Sequence, residues 1–155
     1  MAKAKAIPEG YKSITPNLVC RDAAGAIEFY KKVFGAIEKV RMPDANGKLL
    51  HAELHLGDSP FFINDAMGPE ASAAANRSSL MQLHVYFEDV DSIYNRALAA
   101  GAKVIMPLQD MFWGDRYGVI EDPWGQRWGV ATHIEDVSPE EMGQRQKAAF
   151  GKAAG

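Results

Sequence analysis

The chain has one cysteine, no run of about 18 apolar residues and no stripe of basic charge, and each shortage removes a class of function. A lone thiol forms no internal disulfide. Cys20, in the strand-like run "ITPNLVC", reads as a small packed residue, with a reactive thiol as the minor reading. The start, "MAKAKAIPEGYKS", has lysines but no apolar stretch behind them, so neither a secretory leader nor a membrane span is expected. The expectation is a soluble, cytoplasmic protein with no membrane partner. Seventeen Lys and Arg stand against 20 Asp and Glu, for a net charge of -3. The basic residues are scattered, which argues against nucleic acid and for small molecules or proteins as partners. Also missing are a phosphate-cradling glycine loop, a serine-nucleophile elbow and a dinucleotide fingerprint.

What is present is a core-forming composition, 47% hydrophobic and 24% charged over 155 residues. That fits one globular domain, or two small modules sharing a core. The first half reads as a strand, "SITPNLVC", then a helix, "DAAGAIEFYKKVFG", with Ala26, Ile27, Tyr30, Val33 and Phe34 at helical spacing and Gly35 as C-cap. Three strands follow: "AIEKVRMP", "KLLHAELHLG" and "SPFFIND". After the small and polar stretch "GPEASAAANRSS" the order repeats, through "LMQLHVYF", "VDSIYNRALAAG", "AKVIMP", "RYGVIED" and "QRWGVATH". Asp22 and Asp91 mark the two strand-to-helix corners, and "GA" follows both helices. The expected fold is α+β, with two tandem βαβββ modules at about residues 11–66 and 80–134, a linker at about 67–79, and a C-terminal helix at about 138–150. Ser138 and Glu141 form the capping box of that helix, and its end, "GKAAG", is expected to fray.

The duplicated module, "AIEFYKKVFGA" in the first half and "WGDRYGVIEDPWGQRWGVATH" in the second resemble the vicinal-oxygen-chelate superfamily of glyoxalase I, bleomycin-resistance proteins, fosfomycin-resistance enzymes and extradiol dioxygenases. The resemblance covers residues 11 to 137. It implies a single domain over residues 1–155 in which each module curls a mixed sheet into a half-barrel, helices outside and ligand on the concave side. Function is left open by it, since the superfamily includes isomerases, transferases, dioxygenases and binding proteins. Alternation then assigns the faces. Leu50, Ala52, Leu54 and Leu56 should lie under the helix, leaving His51, Glu53 and His55 on the concave side. Likewise Leu83, Val85 and Phe87 should face the helix, and Gln82, His84 and Tyr86 should face in, while Trp128 belongs to the core.

Metal-using members of that family take a ligand from the first and last strands of each module. Carried over, these positions are Thr15, Phe62, His84 and Gly129, of which only His84 is a ligand type. A divalent ion needs about three protein ligands. "HAELH" does not replace the set, because His51 and His55 are about 13 Å apart along an extended strand, and the spacing is not that of a helical H-E-x-x-H motif. These residues read either as hydrogen-bonding groups of the concave face or as an exposed polar face. His84 reads as a hydrogen-bonded pocket histidine, a ligand contact or a general base.

The candidate ligand-binding residues are therefore His51, Glu53, His55, Phe62, His84, Tyr86, Trp113, Tyr117 and Glu121, with Trp113 offering a stacking surface to a planar or cationic ligand or else plugging its own module. The expected function is binding of a small organic molecule without cofactor or metal. The alternative is a metal-dependent lyase, isomerase or dioxygenase using His84, and a third reading is an interaction module without a ligand. A homodimer is expected, since open half-barrels leave sheet edges to cover.

Overall fold

The computed structural model describes residues 4–69 and 80–151. The chain divides into two compact units, Met1–Arg77 and Ser78–Gly155. Most of the expected linker, and the end "KAAG", lie outside the described residues.

In the first unit β1 (Asn17–Cys20) leads into α1 (Ala23–Phe34), followed by β2 (Ile37–Pro43), β3 (Leu49–Leu56) and β4 (Ser59–Asp65). The sheet order is β1-β4-β3-β2, with β1 parallel to β4 and the other pairs antiparallel. Asp22 caps α1 by accepting from the Gly25 amide, at 3.0 Å. At the other end Gly35 takes φ 73°, where a Cβ would be strained, so that its amide and that of Ala36 turn back onto the carbonyls of Lys31 and Tyr30. The apolar stripe Ala26, Ile27, Tyr30 and Val33 is buried, as are Leu18, Ala52, Leu54, Phe61 and Ile63 of the sheet. The Tyr30 and Phe61 rings meet edge to face at 6.0 Å, which fixes this as the helix-covered face.

The second unit repeats the plan with β5 (Gln82–Tyr86), α2 (Val90–Ala99), β6 (Lys103–Asp110), β7 (Asp115–Glu121) and β8 (Arg127–His133), in the order β5-β8-β7-β6. Val90, Ile93, Tyr94 and Ala97 are buried together with Ile120, Trp128 and Val130. Then comes α3 (Pro139–Phe150), its amide of Glu141 capped by the Ser138 hydroxyl as the sequence suggested. The fold is α+β, two mixed four-stranded sheets not closed into barrels, plus a C-terminal helix. Among the described residues no helix is long and apolar enough to cross a membrane.

Two expectations require correction. Leu50 is exposed and Leu49 is buried in its place. The register slips between Met42↔His51 and Pro43↔Leu49, and this bulge resets the alternation, so only Ala52 and Leu54 hold the buried side while Leu56 is half-buried. The second corner is marked by Asp89, not Asp91. Asp89 caps α2 through the Ser92 amide, whereas Asp91 sits inside the helix and pairs with Arg116 at 2.7 Å. Asp22 and Asp89 stand 67 residues apart, and that offset relates the modules from their first strands through their first helical turns.

The same offset recurs in a pair of staples. Asp65, at the end of β4, accepts the Ala23 amide at 2.8 Å, and Thr132, near the end of β8, accepts the Val90 amide at 3.0 Å. Each ties a helix N-terminus, with its orphan donors, to the last strand of its own sheet.

Candidate functional site

Polar and aromatic side chains gather in each unit on the sheet face opposite the helix. In the first unit the alternation of "HAELH" holds, since His51, Glu53 and His55 are half-buried between the fully buried Ala52 and Leu54. Glu53 pairs across the ladder with Phe62, which places both on one face. The His51 ring meets Phe62 at 4.8 Å, and its Nε2 lies 3.2 Å from Glu53 Oε1. The other carboxylate oxygen accepts from the Tyr11 hydroxyl. The Tyr11 ring in turn lies 5.8 Å from Phe62 and 6.4 Å from His55. That hydrogen bond from Tyr11, with a smaller one from His51, holds the Glu53 carboxyl below the usual carboxylate range, while the same bond pushes the Tyr11 phenol up.

In the second unit His84 stacks on Tyr117 at 5.3 Å and leans on Tyr86 at 4.8 Å, and Trp113 meets Tyr117 edge-on at 5.7 Å. Gly129 makes this run possible. It pairs with His84 across β5 and β8, and a Cβ there would stand 2.7 Å from Gln82 Nε2, 3.1 Å from the Tyr117 ring and 3.2 Å from His84 Nδ1. Glu121 shares the strand face with Tyr117 but is tied to Arg127 at 3.7 Å. Trp113 is positioned by its loop. Gly114, at φ 97°, passes so close under the carbonyl of Glu135 that a Cβ would stand 2.1 Å from it, and its own carbonyl accepts the amides of Ile134 and Glu135.

Beside these rings, on the same face of β7 as Tyr117, lies a group that the sequence reading missed. Asp115 is 4% exposed, and its carboxylate accepts from the Tyr86 hydroxyl and the Trp113 indole on one oxygen, both at 3.0 Å, and from His133 Nδ1 on the other, at 2.8 Å. His133 Nε2 reaches Asp136 at 2.8 Å. Burial raises the Asp115 carboxyl, but the donors from His133, Tyr86 and Trp113 outweigh it and hold it below its ordinary value. Asp136 first, and Asp115 second, raise the His133 imidazole above its ordinary value. Asp115 was legible by alternation with Tyr117 in "DRYGVIED", and His133 by alternation with Gly129. Tyr11, ahead of β1, offered no periodic signal.

The His133 contacts have a pH signature. A histidine raised above its unfolded value contributes stability that is complete below about pH 6.5 and is lost as pH rises through the folded value. The wild-type melting temperature is therefore expected to fall across that rise, and His133→Gln to remove that part of the fall, in thermal melts between pH 5 and 9. Equal pH dependence in the two proteins would contradict this.

The expected ligand positions of a family-type metal site are also corrected. The register partners are Asn17↔Phe62 and His84↔Gly129, so the counterpart of His84 is Asn17 and not Thr15. The error follows from taking Asp91 as the corner. An amide, a phenyl ring, an imidazole and a glycine do not make a divalent-ion shell. Among the described residues no group of three or more His, Cys, Asp or Glu side chains is placed to hold a metal ion. The acids around His133 sit on opposite ring nitrogens and so do not converge on a shared point.

Comparison with known proteins agrees with this architecture. The chain is 38% identical over 135 residues to an uncharacterized protein of Mycobacterium tuberculosis, covering 84% of this chain and 79% of that one. The crystal structure of TioX from Micromonospora sp. ML1 is similar with a TM-score of 0.64 at 29% identity, covering 80% of this chain and all of that one. A glyoxalase/bleomycin resistance protein/dioxygenase family enzyme from Burkholderia phytofirmans shares the fold, with a TM-score of 0.63 at 23% identity over 76% of this chain and 95% of its own. The family model of the glyoxalase/bleomycin resistance protein/dioxygenase superfamily matches residues 12–130, and the chain belongs to that superfamily.

Proposed function

We propose that the protein is a cytoplasmic, homodimeric binding protein that holds a small organic molecule on the open face of one or both sheets, without a metal. The observation that carries this is the ring run Trp113, Tyr117, His84 and Tyr86 laid across the second sheet, with Gly129 leaving the space the rings use. A larger side chain at that position would crowd Tyr117 and His84. The aromatic faces of Trp113 and Tyr117 attract positive charge, so a planar organic cation suits this face. On the first sheet, His51, Glu53, His55 and Phe62 supply polar anchors around one apolar wall. The dimer is supported by β2 and β6, each paired along one side only within its sheet.

Two measurements test the reading. Protein purified without chelator is expected to hold no stoichiometric divalent ion by elemental analysis. Calorimetry with N-methylquinolinium, a planar aromatic cation, should show saturable binding that weakens about tenfold in Trp113→Ala. A stoichiometric ion lost in His84→Ala would overturn the proposal in favour of a metal-dependent enzyme of the superfamily.

A further inference from the structure

We propose that the open face of the first sheet is a site for a phenolic ligand, and that Tyr11 occupies it as an internal competitor. The inference rests on the reading that the open faces bind small molecules, and it names the ligand class for the first of them. Tyr11 stands ahead of β1 and outside the sheet's ladder; its amide bonds only locally, to the Pro8 carbonyl at 3.2 Å. Its side chain nonetheless makes the contacts of a bound small molecule. The ring lies against Phe62 and takes the edge of His55, and the hydroxyl donates to Glu53 Oε2. Glu53 is set for that role, because His51 engages its other oxygen at 3.2 Å and is itself held against Phe62 at 4.8 Å.

Such a site selects an aryl hydroxyl over a plain aryl group. A phenol donating to a carboxylate makes a charge-assisted bond, whereas toluene in its place leaves that oxygen without its donor. The second module does not share the chemistry, since Val119 stands where Glu53 does, opposite Gly129 as Glu53 is opposite Phe62. Tyr11 is tethered by its own segment, so a free phenol must displace it, and its apparent affinity is reduced by the fraction of molecules in which Tyr11 has left.

The test uses p-cresol, the side chain of tyrosine, and toluene as its hydroxyl-free control. Tyr11→Ala is expected to bind p-cresol saturably in calorimetry, with amide shifts at His51, Glu53, His55 and Phe62. Wild type should bind it about tenfold more weakly, and Tyr11→Phe, which keeps the ring but loses the hydroxyl, should fall between. Toluene should bind Tyr11→Ala at least about tenfold more weakly than p-cresol, a preference removed by adding Glu53→Gln. Equal p-cresol affinity in wild type and both Tyr11 variants would overturn the competition. Equal toluene and p-cresol affinity, or no saturable p-cresol binding, would overturn the phenol site. Either failure leaves the second-sheet reading standing, because that one is measured with a cation and Trp113→Ala.

Discussion

Trp128→Ala is expected to destabilise the second module by about 4 kcal/mol, enough to remove much of the stability of an ordinary domain. The side chain is 2% exposed and is among the largest fully buried groups of the chain. Its truncation opens a cavity in the buried side of the sheet, next to its cross-strand partner Ile120 on β7. The indole also does polar work. Its Nε1 donates to Asp122 Oδ2 at 3.0 Å, while Oδ1 of the same carboxylate accepts the amides of Trp124 and Gln126. The turn between β7 and β8 is thus pinned to the core through one buried carboxylate. Trp128→Phe separates the two contributions, and should lose about 1–2 kcal/mol by taking away the indole donor while keeping most of the volume. Urea unfolding followed by circular dichroism measures both. A loss under about 1 kcal/mol for the alanine variant would show that this residue is not the anchor of the module.

Asp65→Ala is expected to cost the first module about 3 kcal/mol. The carboxylate is 7% exposed and accepts two amides from distant parts of the chain, Ala23 at the start of α1 at 2.8 Å and Leu49 at the start of β3 at 2.7 Å. Alanine leaves both donors buried and unpaired, each a desolvation penalty of about 1–3 kcal/mol. Asp65→Asn keeps one carbonyl acceptor and should lose roughly half as much. Thr132 does the same work for Val90 with a hydroxyl that also donates to the Phe87 carbonyl at 2.8 Å. Hydrogen exchange at the Ala23 and Leu49 amides should quicken in both Asp65 variants. Unchanged exchange in Asp65→Ala would refute the assignment.

Much of this architecture was legible in the sequence because it depends on local signals. The helical stripe of α1, the Ser138 cap and the alternation of Ala52 and Leu54 with His51, Glu53 and His55 all follow from side chains a few positions apart. The failures came where a partner strand decides. Leu49 and Leu50 are equally apolar, and the bulge opposite Met42 and Pro43 chooses between them. "EDVD" offers several acidic residues at a helix start, and the backbone makes Asp89 the cap while Arg116, from β7, takes Asp91. The contacts of Tyr11 with Glu53 and of Asp115 with His133 span 42 and 18 residues, beyond any periodicity.

The order β1-β4-β3-β2 places the strand translated first beside the strand translated last. At about 5–20 residues per second, β1 emerges from the ribosome about 2–9 s before Phe62 can pair with Asn17. Through that interval Leu18 and Cys20 have α1 but no neighbouring strand. The same wait recurs for β5 and β8, so each module completes its sheet in one late step, and a chain stopped short of its last strand leaves an unpaired edge to chaperones and to other nascent chains.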